Sequence, residues 1–397
     1  MPQPVHVVYG GAQLFKADAA AKLGAVALRA LHEHAPDAAT LASALGLDPA
    51  IAHRIYPRVV DKLTREPVED LRIDFEDGFG ARPDAEEDSF ALSAADEVGS
   101  GLVARTLPRA IGIRIKSLNP ETRRRGLRTF DLFLDRLVDR TGGTLPANFV
   151  VTLPKIAAPE QVAAMASACD AFEQAHAMRG GTLKFEIMIE TPQSVFAADG
   201  AVALPRLVEE GSGRIVAAHF GTYDYTASCG ITAAHQRMQH PACDFAKHVM
   251  QVALAGTGIW MSDGATNVMP IGSRDVVHRA WRLHADDVRH SLVNGFYQGW
   301  DLHPAQLPSR FAAVYAFFME GLGAASERLK NFVQKAAQAT LVGDVFDDAA
   351  TGQGLLNYFL RAMNCGAITE TEAVEMSGLT VDELRSRSFV TILAGRK

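Results

Sequence analysis

Short apolar runs alternate with helical stretches along most of the chain, and no other feature limits its fold so tightly. Runs of strand length stand at residues 6–9, 71–75, 111–115, 149–153, 185–189, 215–220, 258–261 and 296–302. Between them, apolar residues recur at helical spacing over 17–34, 38–45, 52–58, 122–140, 158–177, 194–210, 241–255 and 276–293, while 81–107 reads as a loop plus a helix. Strands that alternate with helices pair in parallel. About eight such units within roughly 300 residues favour a closed barrel over an open doubly wound sheet. The first run ends at Gly10-Gly11 without the GxGxxG of a dinucleotide-binding sheet. The expected fold is α/β, a (β/α)8 TIM barrel over residues 1–309.

Beyond residue 310 the strand pattern stops. Residues 311–338, 355–363 and 370–388 carry helical spacing, and 343–348 reads as a polar turn. Residues 310–397 are therefore expected to form a C-terminal helical extension. No internal repeat interrupts the pattern.

Composition bounds the class. Hydrophobic residues make up 48% and charged residues 21% of the 397, as in a soluble globular protein. With 39 basic and 46 acidic residues the formal net charge is -7, which argues against a dedicated nucleic-acid binder. Cys169, Cys229, Cys243 and Cys365 form no CxxC pair, so neither a zinc ribbon nor a disulfide framework is indicated. The N-terminal residues show no signal-peptide pattern, and no apolar run nears the ~20 residues of a membrane span. A cytoplasmic protein with no membrane or nucleic-acid partner is expected.

The chemistry-bearing residues close the strands. Glu190 follows the run at 185–189, and Asp224 follows that at 215–220. Carboxylates at the C-terminal ends of barrel strands lie where such barrels keep their chemistry, and two from consecutive units suit a hard cation such as Mg2+. The competing reading is that both cap the helices that follow. Asp74, Glu76 and Asp77 crowd the end of another strand beside Gly78, a polar site or a solvated turn. In residues 111–116, alternation gives Gly112, Arg114 and Lys116 one face. A buried cation there must meet an anion, through a salt bridge towards Asp74 or Glu76 or through recognition of a carboxylate or enolate oxygen. Lys155 closes a fourth strand and either neutralises a substrate or pairs with Glu186 or Glu190. Gly221 and Thr222 offer backbone N–H groups to a substrate. His219, His240 and His303 lack metal-ligand spacing and read as structural. Arg123, Arg124 and Arg125 read as a solvated helix face or as a grip on an anionic cofactor tail.

Together these segments resemble the family of citrate lyase β-subunits, malyl-CoA lyases and HpcH/HpaI aldolases. The resemblance rests on Asp74-Phe75-Glu76-Asp77-Gly78, Ile113-Arg114-Ile115, Leu153-Pro154-Lys155, Ile187-Met188-Ile189-Glu190-Thr191 and Phe220-Gly221-Thr222-Tyr223-Asp224. Its most specific part is Gly295-Phe296-Tyr297-Gln298-Gly299-Trp300-Asp301-Leu302-His303-Pro304-Ala305-Gln306. It implies a phosphoenolpyruvate/pyruvate-type barrel in which Glu190 and Asp224 hold Mg2+, with Mn2+ as a substitute. It also implies that Arg114 steadies a 2-keto acid or its enolate, and that carbon–carbon bonds break or form next to the carbonyl. Asp74, Glu76, Asp77, Lys155, Gly221 and Thr222 would line the substrate site. By family analogy a C-terminal lid supplies an acid/base, for which Asp347 is the candidate and Asp348 its neighbour. A CoA thioester is the implied second substrate, and a homotrimer or homohexamer the implied assembly. Residues 81–110 are longer than the family's usual connection, and 262–267 do not follow the CoA-using lyases, so a divergent subfamily is expected. Thioesterase, synthase or enolpyruvate phosphoryl chemistry on the same metal site is an alternative within the family. A non-catalytic or regulatory binding protein on a retained barrel is the alternative outside it.

Overall fold

The computed structural model describes residues 2–334, 340–342, 345–347 and 349–395, without the side chains of 340–342, 345–347, 349, 350 and 393. Its strands are β1 (His6–Gly11), β2 (Asp70–Asp74), β3 (Ala110–Arg114), β4 (Phe149–Leu153), β5 (Lys184–Ile189), β6 (Ile215–Phe220), β7 (Trp260–Ala265) and β8 (Gln298–Asp301). They form a closed, parallel eight-stranded barrel in chain order, and β1 meets β8 with His6 opposite Gly299. The expected TIM-type fold with a C-terminal helical extension is what the chain adopts.

Helices follow the strands in turn. Three lie between β1 and β2: α1 (Ala19–His34), α2 (Ala38–Leu45) and α3 (Pro49–Arg65). Then come α4 (Asp84–Ala104), α5 (Arg123–Thr141), α6 (Pro159–Ala175), α7 (Pro192–Val195), α8 (Leu204–Glu210), α9 (Thr222–Ser228), α10 (Pro241–Leu254) and α11 (Arg274–Val293). After β8, α12 (Leu307–Gln334) packs along α11 and α3 and so takes the ring position that follows the last strand. The chain continues through β9 (Thr340–Val342), β10 (Val345–Asp347), α13 (Ala349–Cys365), α14 (Glu370–Ser377), α15 (Val381–Ser386) and α16 (Phe389–Gly395). Among the described residues no helix is long and apolar enough to cross a membrane.

Three local expectations fail for identifiable reasons. The helix expected over 194–210 is two helices, because the chain turns through Gly200 at φ 84° and bridges Phe196 to Val202 between them. The stretch 370–388 is not one helix either. Gly378 in the left-handed conformation ends α14, and Thr380 caps α15 by accepting from the Glu383 N–H. Residues 345–347, expected in a turn, form a strand antiparallel to β9.

Strand alternation sorts apolar from charged. Leu71, Ile73, Ile111, Ile113, Val151, Leu153, Phe185 and Ile187 enter the apolar core beneath the helices. The opposite faces meet across the barrel interior. There Arg72 of β2 binds Asp70, Glu186 and Thr152, the last two from β5 and β4, which are not its neighbours. Gln298 approaches Asp70 at 3.4 Å, and His219 lies 3.3 Å from Glu186. Such buried charges persist because each is paired.

Candidate active site

Above that charged floor, every residue singled out from the strand ends arrives at one mouth, the C-terminal end of the barrel. Asp74 and Arg114 are the last residues of β2 and β3, Lys155 lies two past β4, and Glu190 immediately follows β5. Asp224 stands in the first turn of α9, just beyond β6. Parallel strands all end on the same face, so residues scattered over 150 positions of sequence are forced together.

Arg114 is 2% exposed and fully engaged. Its Nε and Nη2 donate to the two Asp74 oxygens at 2.7 and 2.5 Å, and Nη1 lies 3.1 Å from Glu76 Oε2 and 3.8 Å from Asp77. The rings of Tyr9 and Trp300 flank the guanidinium with centroids 4.9 and 5.3 Å away. Burial opposes the charge of Arg114, but Asp74 and Glu76 outweigh it and hold the group well above arginine's ordinary pKa. The salt bridge foreseen as one of two readings is thus formed, and Asp74 also accepts from the Glu76 and Gly78 N–H groups.

Lys155 departs from expectation. It pairs with neither Glu186 nor Glu190 through its ammonium, which instead binds Glu76 and, at 2.8 Å, Asp77. Its chain turns with φ 51°, an uncommon conformation for a residue with a side chain, and this presents its backbone N–H to Glu190 Oε1 at 2.7 Å. Burial pulls the Lys155 pKa down, but Glu76 and Asp77 raise it further, so the site keeps a firmly held cation.

Glu190 is 1% exposed. Burial, followed by the nearby Asp224 charge, pushes its carboxyl up to about 8. Asp224 itself is half-buried and carries no hydrogen bond or ion pair among the described residues. Gly221 lets the β6–α9 backbone pass close to Glu190, since a Cβ there would sit 2.5 Å from both Glu190 Cβ and Oε2. Its N–H does not face the site, however. It donates to Ile189 O at 3.0 Å within the strand pairing, so Gly221 is not the backbone donor that was expected. Thr222 is buried with its hydroxyl against Met238 Sδ, and α9 begins without a capping side chain. The helix-capping alternative holds for neither acid as a side-chain cap.

Lys116 leaves the face of Arg114 because β3 has ended, and it binds Glu87 of α4 at 2.7 Å. Arg125 of α5 pairs with Asp88 of α4, while Arg123 and Arg124 are exposed. His240 and His303 cap α10 and the turn at 304–306, accepting backbone N–H groups at 3.1 Å, as structural histidines do. The side chain of Asp347 and the whole of Asp348 lie outside the described residues. Tyr9 and Trp300 were missed, although alternation along β1 and β8 aims both inward. Glu186, weighed only as a partner for Lys155, belongs to the floor.

Five carboxyls (Asp74, Glu76, Asp77, Glu190, Asp224) thus face two cations, Arg114 and Lys155, and the two cations are already claimed by the first three acids. Glu190 and Asp224 are left repelling one another. That pair fits a divalent cation. Among the described residues no three His, Cys, Asp or Glu side chains enclose an ion unaided, but Mg2+ ordinarily takes one or two carboxylates and keeps water or substrate oxygens for the rest.

The fold and mouth define a closed βα barrel with acids at its strand ends. Residues 1–392 match the family described as Domain of unknown function (DUF6986), and the chain belongs to that family. Solved structures of similar fold include a citrate lyase from Burkholderia xenovorans LB400, at TM-score 0.62 and 20% identity over 95% of this chain and 97% of that one. Another is the magnesium/glyoxylate complex of malate synthase from Haloferax volcanii, at 0.51 and 15% over 98% and 96%. A third is protein CitE from Mycobacterium tuberculosis in complex with magnesium, acetoacetate and coenzyme A, at 0.50 and 14% over 90% and 97%. At these identities the likeness is one of fold. No curated protein matches the chain in sequence.

Proposed function

We propose that the chain is a Mg2+-dependent carbon–carbon lyase or aldolase that acts on a 2-keto acid through its enolate. The observation that carries this reading is the buried Glu190 beside the half-buried, unpaired Asp224 at adjacent strand ends, an acid pair without a cation of its own. The reading gains support from the magnesium complexes with glyoxylate and with acetoacetate described for the Haloferax and Mycobacterium structures of similar fold.

Glu190 and Asp224 would hold the metal. Bound there, Mg2+ supplies Lewis-acid polarisation of a carbonyl oxygen. The chain's own residues supply orientation. Arg114, clamped by Asp74 and flanked by Tyr9 and Trp300, directs Nη1 towards Glu76, and we assign that edge to the substrate's oxygens. A substrate carboxylate arriving there takes the place of Glu76, whose pKa burial already raises. Lys155 offsets its charge. Thr222 and Gly221 shape the wall beside Glu190, and Asp77 holds Lys155 from the solvent side. Loss of a proton from the substrate's hydroxyl lets that fragment depart as a carbonyl compound. The electron pair of the broken bond stays on the carbon next to the keto group, delocalised onto its oxygen, and protonation of that carbon completes the step. Asp347 is retained as the acid/base of a lid. Because α12 fills the barrel's own ring, we place the start of that lid after residue 334 rather than at 310. An acyl-CoA partner, a homotrimeric or homohexameric assembly and a cytoplasmic setting belong to the same proposal.

The test is calorimetric titration of chelator-stripped protein with Mg2+, with and without pyruvate or oxaloacetate, beside Glu190→Ala. Binding that tightens with the keto acid and vanishes in the variant is expected. Absence of Mg2+ binding in the unaltered chain overturns the reading. Turnover of glyoxylate only with acetyl-CoA would move the assignment to a synthase.

A further inference from the structure

The four buried arginines among the described residues, Arg72, Arg114, Arg214 and Arg310, each meet a carboxylate. Arg361 does not. It projects from α13 into a cavity of about 250 Å³, half-buried, with its guanidinium carbon 3.5 Å from the centroid of the Tyr297 ring. Among the described residues no aspartate or glutamate lines that cavity, and none forms an ion pair with Arg361. Arg387, in the turn between α15 and α16, lines the same space and likewise has no carboxylate partner among the described residues. Asn357 adds a donor, because its Oδ1 already accepts from Gln353 at 2.9 Å and its amide N–H groups remain.

The cavity lies at the other end of the barrel from Glu190. Val5 precedes β1, Trp260 opens β7 and Tyr297 precedes β8, so its barrel wall is the N-terminal rim. Val314 and Phe318 of α12 and Leu360 of α13 form one apolar stretch of wall, and Gln3, Asn357 and Asn364 make other parts of it polar.

We infer that this cavity is a second ligand site, in which Arg361 and Arg387 hold the head of a small organic carboxylate and the apolar wall holds its short aliphatic tail. A cation partly withdrawn from water without an anion carries a cost, and the aromatic face of Tyr297 offsets some of it for Arg361. Burial lowers its pKa, which is the mark of a charge without an acidic neighbour. Arginine's planar fork suits a carboxylate, and the volume equals roughly eight waters at the ~30 Å³ each occupies in the liquid, enough for a four- or five-carbon acid. Apolar walls with few convergent donors are the usual make-up of such sites. Since the donors come from α13 and the α15–α16 turn while Tyr297 and Trp260 belong to the barrel, an occupant fastens the C-terminal helices onto the barrel floor. The inference is independent of the reaction proposed for the opposite mouth.

Calorimetric titration of the whole chain, stripped of metal, with isobutyrate and separately with inorganic phosphate tests it. One isobutyrate per chain is expected, with phosphate weaker. Arg361→Gln should weaken isobutyrate by about tenfold or more, and Arg387→Gln by a smaller factor, as lost charge-assisted hydrogen bonds do. Glu190→Ala should leave it unchanged, which separates this site from the other mouth. Should Arg361→Gln fail to fold, Arg387→Gln decides. No heat with isobutyrate up to tens of millimolar, full affinity in either arginine variant, or loss of binding in Glu190→Ala overturns the proposal. Phosphate binding more tightly than isobutyrate overturns the assigned class.

Discussion

The backbone N–H of Lys155 donates to the side chain of Glu190 at 2.7 Å, and Lys155 adopts a left-handed φ of 51° in making that contact. One carboxylate oxygen is therefore fixed by the loop after β4, while the other faces Gly221 after β6. Three neighbouring strand ends thus set the position of a single acid.

Replacing the Lys155 side chain separates its two tasks. Lys155→Ala keeps the N–H to Glu190 but removes the ammonium that binds Glu76 and Asp77. Affinity for a keto acid should drop about tenfold while Mg2+ affinity holds within a few-fold. Paired calorimetric titrations read both, and an equal loss of both would show that the ammonium also serves the metal.

Gly221→Ala should act in the opposite sense. Its new methyl would press on Glu190 Cβ and Oε2 at 2.5 Å, and neither the strand nor the buried acid has room to yield. Mg2+ affinity is expected to fall about 10–100-fold, as when a metal ligand loses its support. Overpacking should cost about 1–3 kcal/mol, visible in urea unfolding.

Proton release should accompany metal binding. Glu190 is pushed up to about 8 by burial and by Asp224, against an ordinary value of 4.5. Below about 8 its carboxyl holds a proton that Mg2+ must displace, so affinity rises with pH up to that value and then levels. Calorimetry in two buffers of different ionisation enthalpy counts the proton, and Asp224→Asn should move the rise to lower pH. The sign for metal-free stability is the reverse. Between 4.5 and about 8 the native chain holds a proton that the unfolded chain has lost, so this group makes stability fall as pH rises.

Asp301 should govern acid tolerance. It is fully buried against Arg310 at 2.7 Å, His284 at 3.0 Å and His6 at 3.1 Å. Burial opposes its charge, but Arg310 and the histidines outweigh it and hold its pKa well below the ordinary 3.8. The native chain leaves this group unprotonated where the unfolded chain binds a proton, so its contribution is present above 3.8 and is lost as pH falls below it. Asp301→Asn leaves Arg310 buried without its anion and should cost about 3–5 kcal/mol at neutral pH. Urea unfolding at neutral and acid pH checks both statements.

The barrel was legible because its signal is repeated: each apolar run, each helix and each acid at a strand end says the same thing. Glu190, Asp224, Arg114 and Asp74 could be placed at one mouth from chain order alone. Contacts that depend on turn geometry could not. Lys155 faces Glu76 and Asp77 because of its positive φ, and Lys116 swings to Glu87 because β3 stops at Arg114. The N–H of Gly221 is consumed by a strand pairing that continues one residue past β6. Some misses were avoidable. Thr369-x-x-Glu372 and Thr380-x-x-Glu383 are capping boxes, and the second marks a helix start inside what read as a single helix. Tyr9 and Trp300 stand at inward positions of β1 and β8, where alternation would have found them.

The pairing of His6 with Gly299 has a consequence for synthesis. Its two strands leave the ribosome about 300 residues apart, a separation that makes ring closure a late and slow event. Until β8 arrives, Arg72, Asp70 and Glu186 stand on the open face of an unfinished sheet. Those charges would keep the nascent face wet and discourage it from sticking to its neighbours, so the ion pairs that line the finished barrel also protect its unfinished form.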